Sequence, residues 1–325
     1  LLRTPALGVA TAPALATAAL FAVHPVASSC VYPIASGRET LLPAVLMLGA
    51  VVAFVRERRG WSWALLASAL FAKEQAVVTP LLFVLADLCR VSARPPAATA
   101  EAWIRRHAPG VGLLVGYLGV RAWVLGGAGG ADIAFLEAPL QPLLSYVFAI
   151  QVAFAPFEAL AYEPELSVWW SPWRTPGALG LAAMLVAGCA YNRGGGPGGR
   201  AHWLVFWLGW FVVVQLPTAN WLRQEAPFAE RYTFLAGLAL PALAAGLASA
   251  HWASVRVRRL AIVLAAVVLA AAVWTTLERS AAFRDDDAFA AAWVASNPAS
   301  SEAHHLLAVT SAQRGRLDQA VVHYE

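Results

Sequence analysis

Charged residues are scarce in this chain, and lysine is almost absent. Only 13% of the 325 residues are Asp, Glu, Lys or Arg, whereas 60% are hydrophobic. Soluble domains carry about 25% charged residues. The single lysine, Lys73, stands beside Glu74 inside a long apolar stretch. This composition excludes an ordinary soluble domain and predicts a membrane protein, in which such buried charges are paired, hydrated or functional.

Cysteine is also rare, and its spacing indicates no covalent or metal framework. Cys30, Cys89 and Cys189 give an odd count without a CxxC or a His–Cys pattern, which argues against a disulfide scaffold and a structural zinc site. No cofactor is predicted, and a metal requirement is left open. The net charge of +4 comes from arginines in short loops, where they set membrane topology, so nucleic-acid binding is not indicated.

Nine apolar stretches are candidate membrane spans. Several are shorter than the roughly 20 residues that cross a bilayer, which predicts half-helices that end in a protein-lined cavity. The chain lacks a starting Met and a signal peptide, so we expect a fragment. The stretches are 6–23, 40–55, 61–72, 76–89, 109–125, 177–191, 203–217, 233–250 and 260–276.

Arginine placement predicts the topology. Four Arg-rich loops should be cytoplasmic by the positive-inside rule. Residues 61–89 must then cross the membrane twice, with Lys73-Glu74-Gln75 at the far tip, and 139–157 must be re-entrant or lie along the interface. The C-terminus becomes periplasmic in a bacterial inner membrane, or lumenal in an endoplasmic reticulum. The arginines of these loops are Arg56, Arg58 and Arg59; Arg90, Arg94, Arg105 and Arg106; Arg193 and Arg200; and Arg256, Arg258 and Arg259.

The chain turns polar after residue 276, and its pattern there is typical of a tetratricopeptide repeat. Leu307-Ala308, Ala320 and Tyr324 occupy the small and large positions of one repeat, and Pro298 falls where a preceding repeat closes. A lone amphipathic hairpin is the alternative. Asp285-Asp286-Asp287 is interpreted as a solvated helix start and not a metal site. The predicted fold is all-α, with a polytopic membrane domain over 1–276 and the start of an extracytoplasmic repeat domain over 277–325.

Several motifs occur in an order that resembles the transmembrane and tetratricopeptide-repeat O-mannosyltransferase-like family of the GT-C glycosyltransferases. The resemblance covers nearly the whole chain. The motifs are Phe21-Ala22-Val23-His24-Pro25-Val26, Ser36-Gly37-Arg38, Ala72-Lys73-Glu74-Gln75, Tyr117 to Leu125 with Arg121, Leu216-Pro217-Thr218-Ala219-Asn220, Ala229-Glu230-Arg231-Tyr232, and Asn297-Pro298.

This resemblance implies transfer of mannose, or another hexose, from a polyprenyl-phosphate donor to protein Ser or Thr hydroxyls on the extracytoplasmic side. The sugar-lipid would be a co-substrate in contact with the bilayer, and the repeat tail would recruit the acceptor protein. Members carry an acidic loop thought to supply the catalytic base, which we expect upstream of Leu1. They also place an Asp soon after the Gly-Arg motif, where this chain has Glu39.

Site residues follow from that chemistry, which needs a base for the acceptor proton and cations for the departing phosphate. Arginine binds oxyanions with a planar fork. The predicted phosphate ligands are Arg231, Lys73, Arg38 and Arg121, and the candidate catalytic carboxylates are Glu230 and Glu74. Further candidates are His24, Glu39 and Tyr232.

Each assignment has a plainer alternative. Arg231 could be an interfacial anchor paired with Glu230, beside Tyr232 in an aromatic belt. Lys73 and Arg121 could snorkel to the membrane surface, and His24 could be an interfacial hydrogen-bonding residue. At the level of the whole protein, the rivals are a non-catalytic scaffold with partner-binding repeats, and a transporter with a polar pathway.

Overall fold

The computed structural model describes residues 1–2, 7–32, 34–93, 99–126, 139–154, 172–191, 200–221 and 228–324. These residues are predominantly helical, and no β-strand occurs among them. The all-α prediction is therefore confirmed. The α-helices are α1 Thr11–Val23, α2 Ser28–Val31, α3 Ile34–Val55, α4 Arg59–Ala72, α5 Thr79–Leu88, α6 Ala100–Val124, α7 Gln141–Phe154, α8 Arg174–Tyr191, α9 Arg200–Gln215, α10 Phe234–Gly237, α11 Ala239–Ala250, α12 Val255–Ser280, α13 Asp286–Ser296, α14 Ser301–Gln313 and α15 Leu317–Tyr324.

Two helical segments of the described chain are long and apolar enough to cross a membrane, Glu230–Ala250 and Val255–Phe283. Thr11–Val23 and Pro25–Val31 pass the same test together, with a bend of 41° between them. These segments match the predicted spans 233–250, 260–276 and 6–23. Within the described residues, the other predicted spans correspond to segments that do not meet this criterion.

Helices α4 and α5 form a short hairpin. Its arms have 14 and 10 residues, or about 21 and 15 Å at 1.5 Å per residue. Neither arm alone covers a hydrocarbon core of about 30 Å. Lys73 to Val78 form the tip, and Pro80 lies in the first turn of α5, where its missing N–H costs no helical hydrogen bond. The chain therefore reverses direction at the predicted tip, whereas the double crossing of the membrane by residues 61–89 stays a prediction.

The end of the bundle opposite this tip is closed by a buried ionic network. The Arg106 guanidinium donates to the Asp87 carboxylate through Nε at 2.5 Å and Nη2 at 2.9 Å, and Nη2 also lies 2.7 Å from Glu57 Oε1. Ser92 Oγ donates to Asp87 at 2.5 Å. His107 Nε2 lies 3.1 Å from the same carboxylate. The network joins the ends of α3 and α5 to the start of α6.

Aromatic side chains fill the centre of the bundle. Trp207 and Trp210 of α9 are fully buried, and Phe54 of α3 stacks on Phe83 of α5 with ring centroids 4.4 Å apart. Burial of such rings contributes most of the apolar stabilisation of a helical core. The close packing of α9 on α5 and α11 holds these helices as one body.

Helix α7 lies along the end of the bundle that carries the Lys73 tip. Its Ser145 Oγ accepts from Asn220 Nδ2 at 2.6 Å, and its Phe148 ring packs against Phe228. At its last turn the Ala153 carbonyl lies 3.1 Å from His24 Nε2. Asn220, Phe228 and His24 all belong to connections at that one end, so α7 crosses the end of the bundle and does not run down its length.

The last helices form two consecutive helical hairpins. Asp285 caps α13 by accepting from Ala288 N at 2.9 Å, and Ser300 caps α14 from Ala303 N at 3.3 Å. Gly315 (φ +74°) turns the chain between α14 and α15, a conformation that glycine adopts without steric cost. The helix start at Asp285 and the turn at 314–316 are as predicted, whereas α12 extends to Ser280, past the predicted boundary at 276. The arginines at 256, 258 and 259 belong to this helix instead of preceding it.

Candidate functional site

Three short 3-10 turns lie at the Lys73 end of the bundle. We call them the histidine turn (His24 with Pro25–Ala27), the lysine turn (Lys73 with Glu74–Val78) and the arginine turn (Glu230–Thr233). The histidine turn and α2 contact the arginine turn, and the lysine turn contacts α3. The histidine and arginine turns are therefore in contact although they are far apart in the chain, and the lysine turn lies at the same end through its contact with α3.

In the histidine turn, both ring nitrogens of His24 are engaged by backbone. Nδ1 accepts from Val26 N at 3.3 Å, and Nε2 lies 3.1 Å from the Ala153 carbonyl oxygen. A carbonyl oxygen only accepts, so Nε2 carries the proton and the imidazole is neutral. This arrangement ties α1 to α7 and agrees with the hydrogen-bonding alternative for His24.

In the lysine turn, Lys73 Nζ lies 3.8 Å from Glu39 Oε2 of α3. The Lys73 side chain is 14% exposed and that of Glu39 is 65% exposed. The helix ends where Lys73 takes an extended conformation with φ −163°, so the chain turns sharply and presents Glu74 to the surface. Glu74 is exposed, and within the described chain no salt bridge involves its carboxylate.

In the arginine turn, the adjacent residues Glu230 and Arg231 contact different partners. Glu230 is 2% exposed, and its Oε2 accepts from Arg279 Nη2 at 2.5 Å, across 49 residues of sequence. The Arg231 guanidinium carbon lies 5.2 Å from the centre of the Tyr232 ring, within range of a cation–π interaction. Among the contacts described for this turn, the ion pair of Glu230 is made with Arg279 of α12.

The thiol of Cys30 lies at this end of the bundle. Cys30 is fully buried in α2. Helix α2 contacts the arginine turn and packs on α3, and α3 contacts the lysine turn. Cys30 therefore lies on the helix that connects the arginine turn to α3.

Arg121 occupies the same end of the bundle on α6. Its Nη1 lies 3.5 Å from the Tyr117 hydroxyl, and the Tyr117 ring packs edge-on against that of Phe71, two residues before Lys73, with centroids 5.8 Å apart. Arg121 itself is exposed. The side chain of Arg38 lies outside the described residues, although its backbone belongs to α3.

The arrangement is better suited to binding an anion than to using Glu230 as a catalytic base. Lys73 and Arg231 bring two cations to one end of the bundle, and planar guanidinium and ammonium groups both bind phosphate oxygens. Glu230 is buried and its carboxylate is bound by Arg279, so an acceptor hydroxyl reaches it less readily than it reaches an exposed carboxylate. The geometry favours Glu74 over Glu230 as a base, and the assignment of either remains a prediction.

Sequence reasoning missed two residues of this site, Arg279 and Cys30. Arg279 falls in the polar stretch after the last span, where arginines are common. A signal was nevertheless present, because Thr276, Arg279 and Phe283 share one face of a helix by their spacing. Cys30 carried no signal, since a lone buried cysteine behaves as a small hydrophobe.

No group of three or more His, Cys, Asp or Glu side chains suited to a metal occurs among the residues that the structure describes. No protein-family model, curated protein or solved structure matched this chain.

Proposed function

We propose that the chain is a membrane glycosyltransferase that transfers mannose or another hexose from a polyprenyl phosphate to Ser or Thr hydroxyls of a protein, on the extracytoplasmic side. The main support is the position of the lysine turn and the arginine turn at the same end of the bundle, where they carry Lys73 and Arg231. Two cations at one end of an apolar bundle suit a lipid-linked phosphate, whose head is anionic and whose tail requires the membrane.

Apolar side chains on the outside of the bundle suit the lipid part of this donor. Helix α6 exposes Val111, Val115 and Leu118, which precede Arg121 on the same helix. Exposed apolar side chains in such numbers mark a membrane or ligand surface. A polyprenyl chain lying along α6 would bring its phosphate to the level of Arg121 and Lys73. Helix α12 likewise exposes an apolar surface, as expected of a helix in contact with lipid.

The reaction breaks the bond between the sugar anomeric carbon and the phosphate oxygen, and forms a bond from that carbon to the acceptor oxygen. The acceptor hydroxyl gives its proton to a carboxylate, for which Glu74 is the exposed candidate at this end. Lys73 and Arg231 stabilise the negative charge on the departing polyprenyl phosphate. Stabilisation of developing charge by preorganised groups of this kind is commonly the largest catalytic contribution.

The tail supplies a surface for the acceptor. A groove of about 470 Å³ lies among the last three helices. Tetratricopeptide arrays bind partners on concave surfaces of stacked helices, and recruitment of the acceptor by the tail is part of the proposal. The groove is lined by Asp287, Ala291, Leu307, Ser311, Arg316, Asp318, Gln319, Val322 and His323.

The test uses the complete open reading frame in membranes, with radiolabelled polyprenyl-phosphate mannose and a Ser/Thr-rich acceptor protein. Arg231→Ala and Lys73→Ala should each lower transfer by about a hundredfold, the usual cost of removing one charge-stabilising group. Arg105→Ala is the matched control, because Arg105 is 78% exposed at the opposite end of the bundle.

Two outcomes contradict the proposal. Equal loss in Arg105→Ala would mean that general damage, and not the site, explains the result. Absence of transfer with both mannose and glucose donors, together with capture of an acceptor by the tail, would favour a non-catalytic scaffold. The sequestered Glu230 carboxylate is the observation that keeps this second function open.

A further inference from the structure

Helix α12 packs on α1, and its buried residues lie near its C-terminal end. These residues are Ala272 and Arg279. The last turns of α12 come directly before the tail, so the contacts that they make bear on how the tail is placed on the bundle.

Three contacts lie on one face of this end. Thr276 Oγ1 donates to the Val23 carbonyl at 2.8 Å, Arg279 donates to Glu230 at 2.5 Å, and Phe283 stacks on Tyr32 with centroids 5.3 Å apart. Spacings of three and four residues put side chains on the same helical face. The partners belong to α1, the arginine turn and the end of α2, so the three contacts fasten the tail to the candidate site itself.

Arg279 is the central member of this face. It is 6% exposed, and the Glu230 carboxylate to which it donates is 2% exposed. A buried guanidinium requires its carboxylate partner in a fixed geometry, since loss of either group leaves the other charged and buried. Arg279 therefore fixes the position of Glu230, and Glu230 begins the turn that carries Arg231.

Aromatic rings continue the connection into the tail. Phe283 packs against Phe289 at 5.4 Å, and Phe289 packs against Trp293 of α13 at 6.0 Å. Trp293 is buried in the tail. Contiguous packed side chains of this kind carry coupling between distant parts of a protein.

We infer that Arg279 is a positioning residue, which couples the orientation of the tail to the arginine turn and so sets where an acceptor held by the tail meets the donor phosphate. The part of this inference that concerns the acceptor rests on the proposed function. The part that concerns the coupling is independent of the proposed function, because amide protection at the junction between α12 and α13 reports it directly.

Hydrogen exchange measures the coupling without any assay of activity. In the complete protein, Glu230→Gln and Arg279→Gln should each raise amide exchange over residues 277–290 by about tenfold, a change typical of coupled neighbours. The double variant Glu230→Arg with Arg279→Glu restores the pair in reverse and should recover much of the protection. Glu101→Gln, which removes the exposed Glu101–Arg105 pair, is the control and should leave the junction unchanged.

Kinetics test the consequence for transfer. A positioning role predicts that Arg279→Gln raises the KM for the donor and for the acceptor, and that the reversed pair recovers both. A merely structural role predicts a smaller amount of active protein with unchanged KM values. If wild type shows no transfer, the proposed function fails, and the exchange experiment still tests the coupling.

The inference is overturned if Arg279→Gln and Glu230→Gln leave exchange over 277–290 at the wild-type rate. It is also overturned if both variants lose protection and the reversed pair recovers none, provided that the exchange of the buried core in α9 stays unchanged in all of them. Uniform loss of protection across α9 and the junction would assign Arg279 to global stability alone.

Discussion

Arg106 binds the carboxylate of Asp87 through two of its nitrogens, at 2.5 and 2.9 Å, and so joins two helices through residues that are 19 positions apart in the chain. Both side chains are buried, and Ser92 and Glu57 complete the arrangement. The contact lies at the end of the bundle opposite the candidate site. It therefore bears on stability and not on the proposed chemistry.

Asp87→Asn should destabilise the protein by about 3–5 kcal/mol, because it leaves the Arg106 charge buried with a weakened partner. Thermal unfolding in detergent, followed by circular dichroism, measures the change. Glu101→Gln removes an exposed pair and should cost at most about 0.5 kcal/mol. Similar unfolding temperatures for the two variants would show that the buried network contributes no more than a surface pair.

Close packing of α9 on α11 predicts a second effect on stability. A Cβ added at Gly246 would lie 2.0 Å from Cζ2 of the Trp203 indole, which is inside van der Waals contact. Gly246→Ala should therefore cost about 1–3 kcal/mol through overpacking, despite the better helix propensity of alanine. The same unfolding experiment measures it.

Gly112→Ala is the matched control for that substitution. Gly112 is also inside a helix, and a Cβ added there would meet nothing within 4 Å. This variant should be neutral or more stable by about 0.5–1 kcal/mol, since alanine loses less backbone entropy than glycine. A stabilising Gly246→Ala would mean that α9 and α11 move apart at little cost.

The stability of the tail should depend on pH in the acid range, through Asp285 and Asp287. A backbone hydrogen bond from Ala288 lowers the pKa of Asp285 below its usual value, and a hydrogen bond from Arg316 lowers the pKa of Asp287. Their stabilising effect is present above the unfolded-state pKa of about 3.9 and is lost as the pH falls through the lower folded-state pKa. The tail should be equally protected at pH 7 and pH 5, and less protected below about pH 4.

Hydrogen exchange over residues 286–324, corrected for the intrinsic effect of pH, tests this dependence. Asp287→Asn should lose protection already at pH 7, and its protection should change less between pH 5 and pH 3 than that of wild type. Asp318→Asn is the control, because Asp318 has no salt bridge within the described chain. Identical pH profiles for wild type and Asp287→Asn would contradict the assignment.

Composition and residue order were sufficient to predict several local features. The hairpin tip at Lys73 follows from a charged triplet inside an apolar run, and the helix start at Asp285 follows from the preference of Asp for the N-cap position. Both depend on neighbours in sequence. The limits of α12 were harder to predict, because arginines at 256, 258 and 259 are compatible with helix as well as loop.

The sequence by itself determined an all-helical chain, rich in apolar residues, with several of its polar motifs in the connections between helices. Only the tertiary structure decided the partners within those motifs: Glu230 pairs with Arg279, and Lys73 pairs with Glu39. The physical reason is that helix formation depends on neighbours a few residues apart. A buried ion pair depends on which helix ends meet in space, and the separation of two residues along the sequence does not indicate this.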